Sequence, residues 1–245
     1  MILSMVRLLV VGVAGALLAG CGTTGPNRVM KFNGSDEYVR VKDAKALRLA
    51  DGDFTLTAWI YINKFSNESN SPVMAKRGAE SREGWTWYVA GDAWPTLARK
   101  LIFHVSQGDN PFAVSNTTFD AGKWYHIAMV YSAAAQAGQF FINGQADSPT
   151  PTIGLTPPNP ATAVDLHIGR DSFYARYFFD GMVDDVGVFN KALTPVEVRS
   201  LATRSLHGRE PGLIALWNFD SRSPRDVSPG GHHGTFLPGV APGTP

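Results

Sequence analysis

The chain has 245 residues, with 22 basic and 21 acidic side chains and a formal net charge of +1 at pH 7. Because neither sign of charge forms a long run, the composition does not favour nucleic acid or an anionic membrane surface as a partner. About 220 residues follow the single cysteine, which is enough for one all-β domain with a sizeable core.

The first residues have the layout of a secretory signal peptide. One basic residue, Arg7, precedes an apolar run that is too short to span a bilayer. The run ends in LAGC, which resembles the bacterial lipobox, whose cysteine is lipidated and becomes the first mature residue. The alternative is an ordinary signal peptide with an incidental cysteine. We therefore predict a lipoprotein signal peptide over residues 1–21, lipidation of Cys21 and a short linker over residues 22–27.

The cysteine and its neighbour also bear on compartment. Cys21 is the only cysteine, so an internal disulfide cannot form. Gly22 follows it, and the absence of aspartate there resembles lipoproteins that are sent to an outer membrane. The predicted location is the bacterial cell envelope, anchored by lipid to the outer membrane on its periplasmic or surface side.

Short β-branched and aromatic runs alternate with turn residues along the rest of the chain, which contains 25 Gly and 16 Pro. This punctuation predicts many short strands, and hence a sandwich or jelly roll. The predicted strands are VMKFNG, EYVRV, FTLTAWIYI, SPVMAKR, WTWYVAG, RKLIFHVSQ, WYHIAMVYS, GQFFINGQ, VDLHIGR, MVDDVGVF and LIALWNF.

Three further segments have distinct local signals. A short helix is predicted after Thr194, because proline occupies the first helical position and Glu197 completes a capping box; it should end near Thr203. Residues 148–163 contain five prolines, which predicts an extended loop rather than a strand. Residues 238–245 are rich in Pro and Gly, which predicts a flexible tail.

Six segments together resemble the laminin G-like or concanavalin A-like jelly roll in its bacterial form. They occur in the order expected of that family and cover most of the chain after the linker. The resemblance implies an all-β, two-sheet antiparallel sandwich with one short helix, forming a single domain over residues 28–237. The segments are FNGSDEYVRV, FTLTAWIY, GKWYHIAMVY, GQFFINGQ, LHIGR and FDGMVDDVGVFNKALTPVEVRSL.

The segment GLIALWNFDSRSPRDVSPGGHHGTF resembles the stretch that commonly opens such a domain, yet here it closes the chain. We expect it to complete the same sandwich beside the N-terminal strands, with Trp217 or Phe219 between the sheets. About 30 residues cannot bury an apolar face alone. The alternative is the start of a second, truncated domain.

The motifs argue against catalysis. This fold hosts lectins, carbohydrate-binding modules, adhesive domains and glycosidases. The Glu-x-Asp-x-Glu pattern of its glycosidases is absent, as are G-x-S-x-G, H-E-x-x-H and a glycine-rich phosphate loop. We therefore predict a protein that is not an enzyme. A glycoside hydrolase of the same fold is the alternative, because two carboxylates from distant strands could still meet.

Aromatic residues in loop-like regions give the better functional signal. Flat rings stack on the C–H faces of sugars, while Arg and Asp bind the hydroxyl groups. Trp85 and Trp87 have a competing interpretation as core residues, because aromatic side chains favour strands. The predicted ligand-binding residues are Trp94, Arg170, Asp171, Tyr174, Arg176 and Tyr177.

These residues predict a lipid-anchored, lectin-like module of the cell envelope whose partner is a glycan. The alternative is a surface adhesion or assembly module, in which the same aromatic loops would contact a partner protein.

The strand MVDDVGVF raises a separate question, because it places two carboxylates among apolar residues. Strict alternation would put Asp184 on one face with Val186, and Asp185 on the other face with Val183. The family resemblance implies a structural calcium ion at Asp184, with Asn33 and Asp36 as further ligands; calcium takes six to eight oxygen ligands. The alternative is that Asp184 accepts hydrogen bonds from turn amides or pairs with an arginine.

Overall fold

A computed structural model describes residues 28–50, 52–66, 70–78, 83–106, 111–148, 150–158, 162–237 and 242–243. The predicted signal peptide, the lipidation site Cys21 and the predicted linker lie outside these residues. Across the described ranges, every helix is too short or too polar to cross a membrane.

Two antiparallel sheets form the fold, and the chain passes between them several times. In chain order the described strands are β1 (Val29–Asn33), β2 (Tyr38–Val41), β3 (Phe54–Ile62), β4 (Ser71–Arg77), β5 (Gly84–Val89), β6 (Lys100–Val105), β7 (Phe112–Thr118), β8 (Trp124–Ser132), β9 (Ala137–Ile142), β10 (Gln145–Ala146), β11 (Thr152–Ile153), β12 (Leu166–Ile168), β13 (Asp180–Phe189), β14 (Leu213–Trp217), β15 (Gly234–Leu237) and β16 (Pro242–Gly243).

Sheet A has the order β10-β9-β8-β3-β13-β1-β16, with β11 also paired to β9 and β14 to β13. Sheet B has the order β15-β2-β12-β4-β5-β6-β7. A 3-10 turn covers Lys45–Arg48, and the α-helix α1 covers Pro195–Leu201. This arrangement confirms the predicted fold class, a two-sheet antiparallel sandwich with one short α-helix in the described part of the chain.

The core lies between the sheets and follows from the alternation of side chains along each strand. In β3, Leu56, Ala58 and Ile60 are fully buried in this core. The residues between them, including Trp59, therefore lie on the opposite, outer face of sheet A. The same alternation in β5 puts Trp85 and Trp87 in the core, so the core interpretation of these two residues is correct.

Strands β7, β11, β15 and β16 lie outside the predicted strand segments. Strand β7 was not predicted, because its polar Ser115 and Asn116 weaken the apolar pattern of an edge strand. Strand β11 lies inside the proline-rich segment, where Thr152 pairs with Gly138. In the predicted tail, Pro242 pairs with Met30; proline is tolerated there because β16 is an edge strand.

Helix α1 covers part of the outer face of sheet A. The Thr194 side chain and Glu197 form the predicted capping box. Below the helix, a second apolar cluster joins it to sheet A and to the segment that follows the helix. This cluster consists of Ala128, Phe141, Phe189, Leu193, Val198, Leu201, Leu206, Leu213 and Leu216.

The C-terminal segment contributes to both sheets. Strand β14 pairs with β13 in sheet A, and β15 pairs with β2 in sheet B. Trp217 and Phe219 are fully buried in the main core, and the Trp217 indole N–H donates to the His232 carbonyl at 2.9 Å. The segment is therefore an integral part of this sandwich.

Strand β13 contains a β-bulge at its two aspartates. The register between β13 and β3 shifts between Asp184 and Gly187, and Asp185 has a φ of +44°. Val183 and Val186 both belong to the core, so the residues between them lie on the outer side. The expectation that Asp184 shares a face with Val186 is wrong, because the bulge adds one residue to the strand.

Candidate ligand-binding surface

The loop from Gly169 to Phe178, which joins β12 to β13, folds back on itself as a closed hairpin. Arg170 and Phe178 form an isolated antiparallel bridge. The Asp171 N–H donates to the Tyr177 carbonyl at 3.0 Å, and the Tyr177 N–H donates to the Tyr174 carbonyl at 3.0 Å. The backbone of the loop is therefore fixed by its own hydrogen bonds.

A buried ion pair fastens this loop to strand β4. The Arg77 guanidinium contacts both carboxylate oxygens of Asp171, at 3.2 and 2.6 Å. Asp171 Oδ1 also accepts hydrogen bonds from the N–H groups of Phe173 and Tyr174, at 2.8 and 3.0 Å. Because Asp171 is only 2% exposed, its carboxylate organises the loop from beneath and does not face solvent.

Three residues of the loop form a surface that we call the tyrosine platform: Tyr174, Arg176 and Tyr177. The two tyrosine rings have centroids 5.1 Å apart at 47°. The Arg176 guanidinium lies 5.1 Å from the Tyr177 ring and donates to its hydroxyl at 3.2 Å. Tyr174 is 40% exposed, and Arg77 lies 5.0 Å from its ring centroid. The platform thus presents an aromatic pair and a cation on a fixed support.

Arg170 belongs to a different contact. Its guanidinium lies 4.6 Å from the Tyr38 ring and 5.4 Å from the Phe178 ring, and its Nε is buried without a hydrogen-bond partner. The neighbouring His167 ring lies 4.8 Å from Tyr38. Burial, followed by the positive charge of Arg170, lowers the pKa of His167 to about 4. Arg170 therefore packs towards β2.

Trp94 lies in the turn between β5 and β6 and is 46% exposed. Its carbonyl accepts from the Leu97 N–H at 3.0 Å, and the same turn contacts Ser66 through the Asp92 N–H. None of the ring contacts described for the chain joins Trp94 to the tyrosine platform. The structure thus brings together Tyr174, Arg176 and Tyr177, with Asp171 below them.

Further residues around the platform were missed by the sequence prediction. Arg77 anchors the loop, and Tyr88 and His104 respond electrostatically to the Arg77–Asp171 pair. Burial raises the pKa of Tyr88 to about 12 and lowers the pKa of His104 to about 4. Their positions alternate with the buried tryptophans and phenylalanine of β5 and β6, and this alternation was the signal that could have identified them.

The predicted calcium ligands do not share one position. Asn33 and Asp36 lie in one turn, where Asn33 Nδ2 donates to Asp36 Oδ1 at 2.7 Å and Asn33 Oδ1 accepts from the Ser35 N–H. The residue opposite Asn33 on β13 is Asp180; Asp184 is four residues further along, about 13 Å away. Within the described residues, no group of three His, Cys, Asp or Glu side chains could hold a metal ion. The three residues do not fit one coordination sphere, and calcium binding stays a prediction.

Comparison with known families agrees with the fold. A family profile described as the concanavalin A-like lectin/glucanases superfamily matches residues 33–199. No curated protein sequence matches the chain.

Several solved structures are similar to this chain. A protein from Bacteroides ovatus, provisionally named a carbohydrate-binding protein, aligns with a TM-score of 0.68 and 20% identity over 89% of this chain. The alignment spans only 60% of that protein. Domain 4 of the GH43 extracellular arabinanase AbnA from Geobacillus stearothermophilus, in complex with arabinotriose, aligns with a TM-score of 0.54 and 16% identity over 71% of this chain and 76% of that one.

A third similar structure is the CBM40 of a Ruminococcus gnavus IT-sialidase, bound to α2,3-sialyllactose. It aligns with a TM-score of 0.52 and 11% identity over 73% of this chain and 100% of that one. At these identities the likeness establishes the sandwich fold, and the ligands belong to those proteins.

Proposed function

Because the chain belongs to the concanavalin A-like lectin/glucanases superfamily, we propose that it is a carbohydrate-binding protein without catalysis of its own, and that the tyrosine platform binds the glycan. The observation that carries this proposal is the supported pair of rings at the exposed Tyr174 and the partly buried Tyr177, with Arg176 beside them.

The chemistry of the platform suits a sugar. An aromatic ring offers an apolar face to the C–H groups of a pyranose or furanose. The Arg176 guanidinium supplies fixed hydrogen-bond donors to hydroxyl or carboxylate groups at the edge of such a ring. Since the Arg77–Asp171 ion pair holds the loop before a ligand arrives, little conformational entropy would be lost on binding.

The surroundings of the platform support binding rather than hydrolysis. Glycosidases of the usual kind need two carboxyl groups flanking the scissile bond. The carboxylate directly below the platform, Asp171, is buried and paired with Arg77. Its position suits a structural role. The sugars named with the arabinanase domain and the CBM40 add support, because those proteins share the sandwich.

A glycan array followed by titration calorimetry tests the proposal. Tyr174→Ala should weaken binding of an array hit by about tenfold or more, the size expected for a lost stacking contact. Ile153→Ala is the matched control, since Ile153 is 81% exposed on sheet A and should leave affinity unchanged. Trp94→Ala tests whether the ligand extends to the β5–β6 turn.

Two outcomes would overturn the proposal. One is unchanged affinity in Tyr174→Ala for every array hit. The other is an array without hits together with capture of one specific envelope protein that Tyr174→Ala abolishes. That second result would favour the adhesion or assembly role, in which the platform contacts a protein.

We also propose that the protein is anchored to the cell envelope by lipid at Cys21. The sequence LAGC supports this, since its cysteine lies directly after an apolar, small-residue run. Labelled palmitate should enter the wild-type protein and not Cys21→Ser, which should remain uncleaved or appear in the soluble fraction. Equal labelling of the two proteins would rule the anchor out.

A further inference from the structure

A cavity of about 550 Å³ opens on the outer face of sheet A, the sheet opposite to the one that carries the tyrosine platform. Its walls come from three parts of the fold. Strand β13 supplies Asp184 and Asp185, strands β3 and β8 supply Trp59 and Trp124, and the segment after α1 supplies Thr203 and Arg204. Its volume is in the range of pockets that hold small organic ligands.

The aromatic side of the cavity is built by strand register. Trp59 lies directly opposite Asp184 on β13 and opposite His126 on β8. Trp124 lies opposite Tyr61, two residues along β3 from Trp59, so the two indoles are diagonal neighbours on one face. Both are only partly buried. The cavity therefore places two indoles beside a carboxylate.

The acidic side is built by the bulge in β13. Without the extra residue, successive side chains would point to opposite faces; with it, Asp184 and Asp185 both line the cavity. Asp184 is 4% exposed, and its Oδ1 accepts from the Asp185 N–H at 2.8 Å. Asp185 is partly buried. Two carboxylates thus lie next to each other in one site that is partly shielded from solvent.

The charges described around Asp185 are mostly negative. Arg204 lines the cavity, but its guanidinium donates to Glu210 at 3.0 Å, to Ser200 and to the Ser205 carbonyl. Glu210 and Asp220 both add negative charge around Asp185. Burial, with these two acids, raises the pKa of Asp185 to about 7, against small opposing effects of the Leu206 N–H and of Arg204.

We propose that the cavity binds an alkylammonium group, of the kind that a lysine side chain carries. The ammonium donates to Asp184 and Asp185 in charge-assisted hydrogen bonds. Its alkyl stem and its charge lie against the indoles of Trp59 and Trp124, which attract cations through their π-faces. An anion is repelled by the carboxylates, and a neutral polyol leaves the charge of Asp185 uncompensated.

This site is separate from the proposed glycan surface, since the two lie on different sheets and share no residue. Loss of one function therefore leaves the other measurable, and Tyr174→Ala serves as a variant outside the cavity.

The test uses the folded protein with ¹⁵N-labelled indoles. Nα-acetyl-lysine N-methylamide is titrated at mildly alkaline pH, and Nα-acetyl-norleucine N-methylamide is the neutral probe of similar shape. The lysine probe should shift the Nε1–H resonances of Trp59 and Trp124 with saturation at millimolar concentration, and the norleucine probe should not. Asp185→Asn should weaken lysine binding about tenfold, because it removes one of the two carboxylates that accept from the ammonium. Asparagine is the substitution of choice, since it also accepts the left-handed backbone conformation of Asp185. Asp120→Asn, on an exposed turn, should not.

Three results would overturn the proposal. The first is equal binding of the norleucine probe, which would make the cavity merely apolar. The second is the same indole shifts with methyl glucoside, which would make it a second sugar site. The third is saturation by the lysine probe with equal affinity in the wild type and Asp185→Asn, or no shift at all.

Discussion

The outer faces of the two sheets are covered by different kinds of contact. On sheet A, apolar side chains of α1 and the following segment pack on the apolar side chains of β8, β9 and β13. On sheet B, a polar loop is held by the bidentate contact between Arg77 and Asp171. The packing of helix α1 on sheet A thus depends on burial of apolar surface, whereas the attachment of the loop to sheet B depends on pairing of buried charge.

The same difference decides what the aspartates on each face can do. Asp171 has its compensating cation at 2.6 Å, so it stabilises the loop and leaves the exposed rings to meet a ligand. Asp185 has no such compensation, since the described partners of Arg204 include Glu210 and not Asp185. A buried carboxylate without a full charge partner raises its pKa or recruits a cation from outside.

The largest effect is expected from breaking the ion pair on sheet B. Arg77→Ala leaves the Asp171 carboxylate, with 3% of its side chain exposed, without a counter-charge, and should cost about 3–5 kcal/mol. Urea unfolding measures this free energy. In the control, Arg99→Ala removes a partner of Asp92, and that pair is 43% and 30% exposed, so little stability should be lost. Equal losses would contradict the structural role of Asp171.

Removing the charge of Asp185 on sheet A should have the opposite effect and increase the free energy of unfolding. The pKa of Asp185 is raised to about 7 in the folded state, above the value of about 3.9 for an unfolded aspartate. Its ionisation therefore disfavours folding increasingly as the pH rises from about 4 to about 7, with a constant cost above that. Asp185→Asn should stabilise the protein by on the order of 1–3 kcal/mol at about pH 8 and by little at about pH 4.

This prediction is tested on the difference in unfolding free energy between variant and wild type, because one buried and two partly buried histidines change the stability of both proteins in the opposite direction. Burial lowers the pKa of His104, His126 and His167 to about 4, so each reduces stability as the pH falls below about 6.5. Asp120→Asn is the control at an exposed position. A difference for Asp185→Asn that does not change with pH would show that Asp185 titrates normally.

The smallest effect is expected at helix α1, which packs on the outer face of sheet A. Thr194→Ala removes the hydrogen bond that the Thr194 hydroxyl accepts from the Glu197 N–H and should cost about 1 kcal/mol. Val196→Ala, at a helix position that is 75% exposed, should cost almost nothing. Chemical unfolding of both variants measures the contrast. A loss at Thr194 as large as that of Arg77→Ala would mean that the cover of sheet A also depends on polar contacts.

Sequence patterns predicted the elements whose signal is local. The capping box at Thr194 and the alternation in FTLTAWIYI are properties of a few neighbouring residues, and both are present as predicted. The tyrosine platform was partly predictable, since RDSFYARY concentrates aromatic and basic residues in one loop. The contact of Arg170 with the Tyr38 ring was not, because these two residues are far apart in the chain.

By itself the sequence determined the two-sheet sandwich, since the period-two alternation of apolar residues in each strand leaves one face to be buried against another sheet. Only the tertiary structure decided where the aspartate side chains lie and what they contact. Asp171 looked like a ligand residue and is a buried support, because Arg77 reaches it from β4. Strict alternation predicted Asp184 and Asp185 on opposite faces of the sheet. The β-bulge instead places both side chains in the lining of the same cavity. Register, bulges and ion pairs depend on residues far apart in the chain, and no local pattern specifies them.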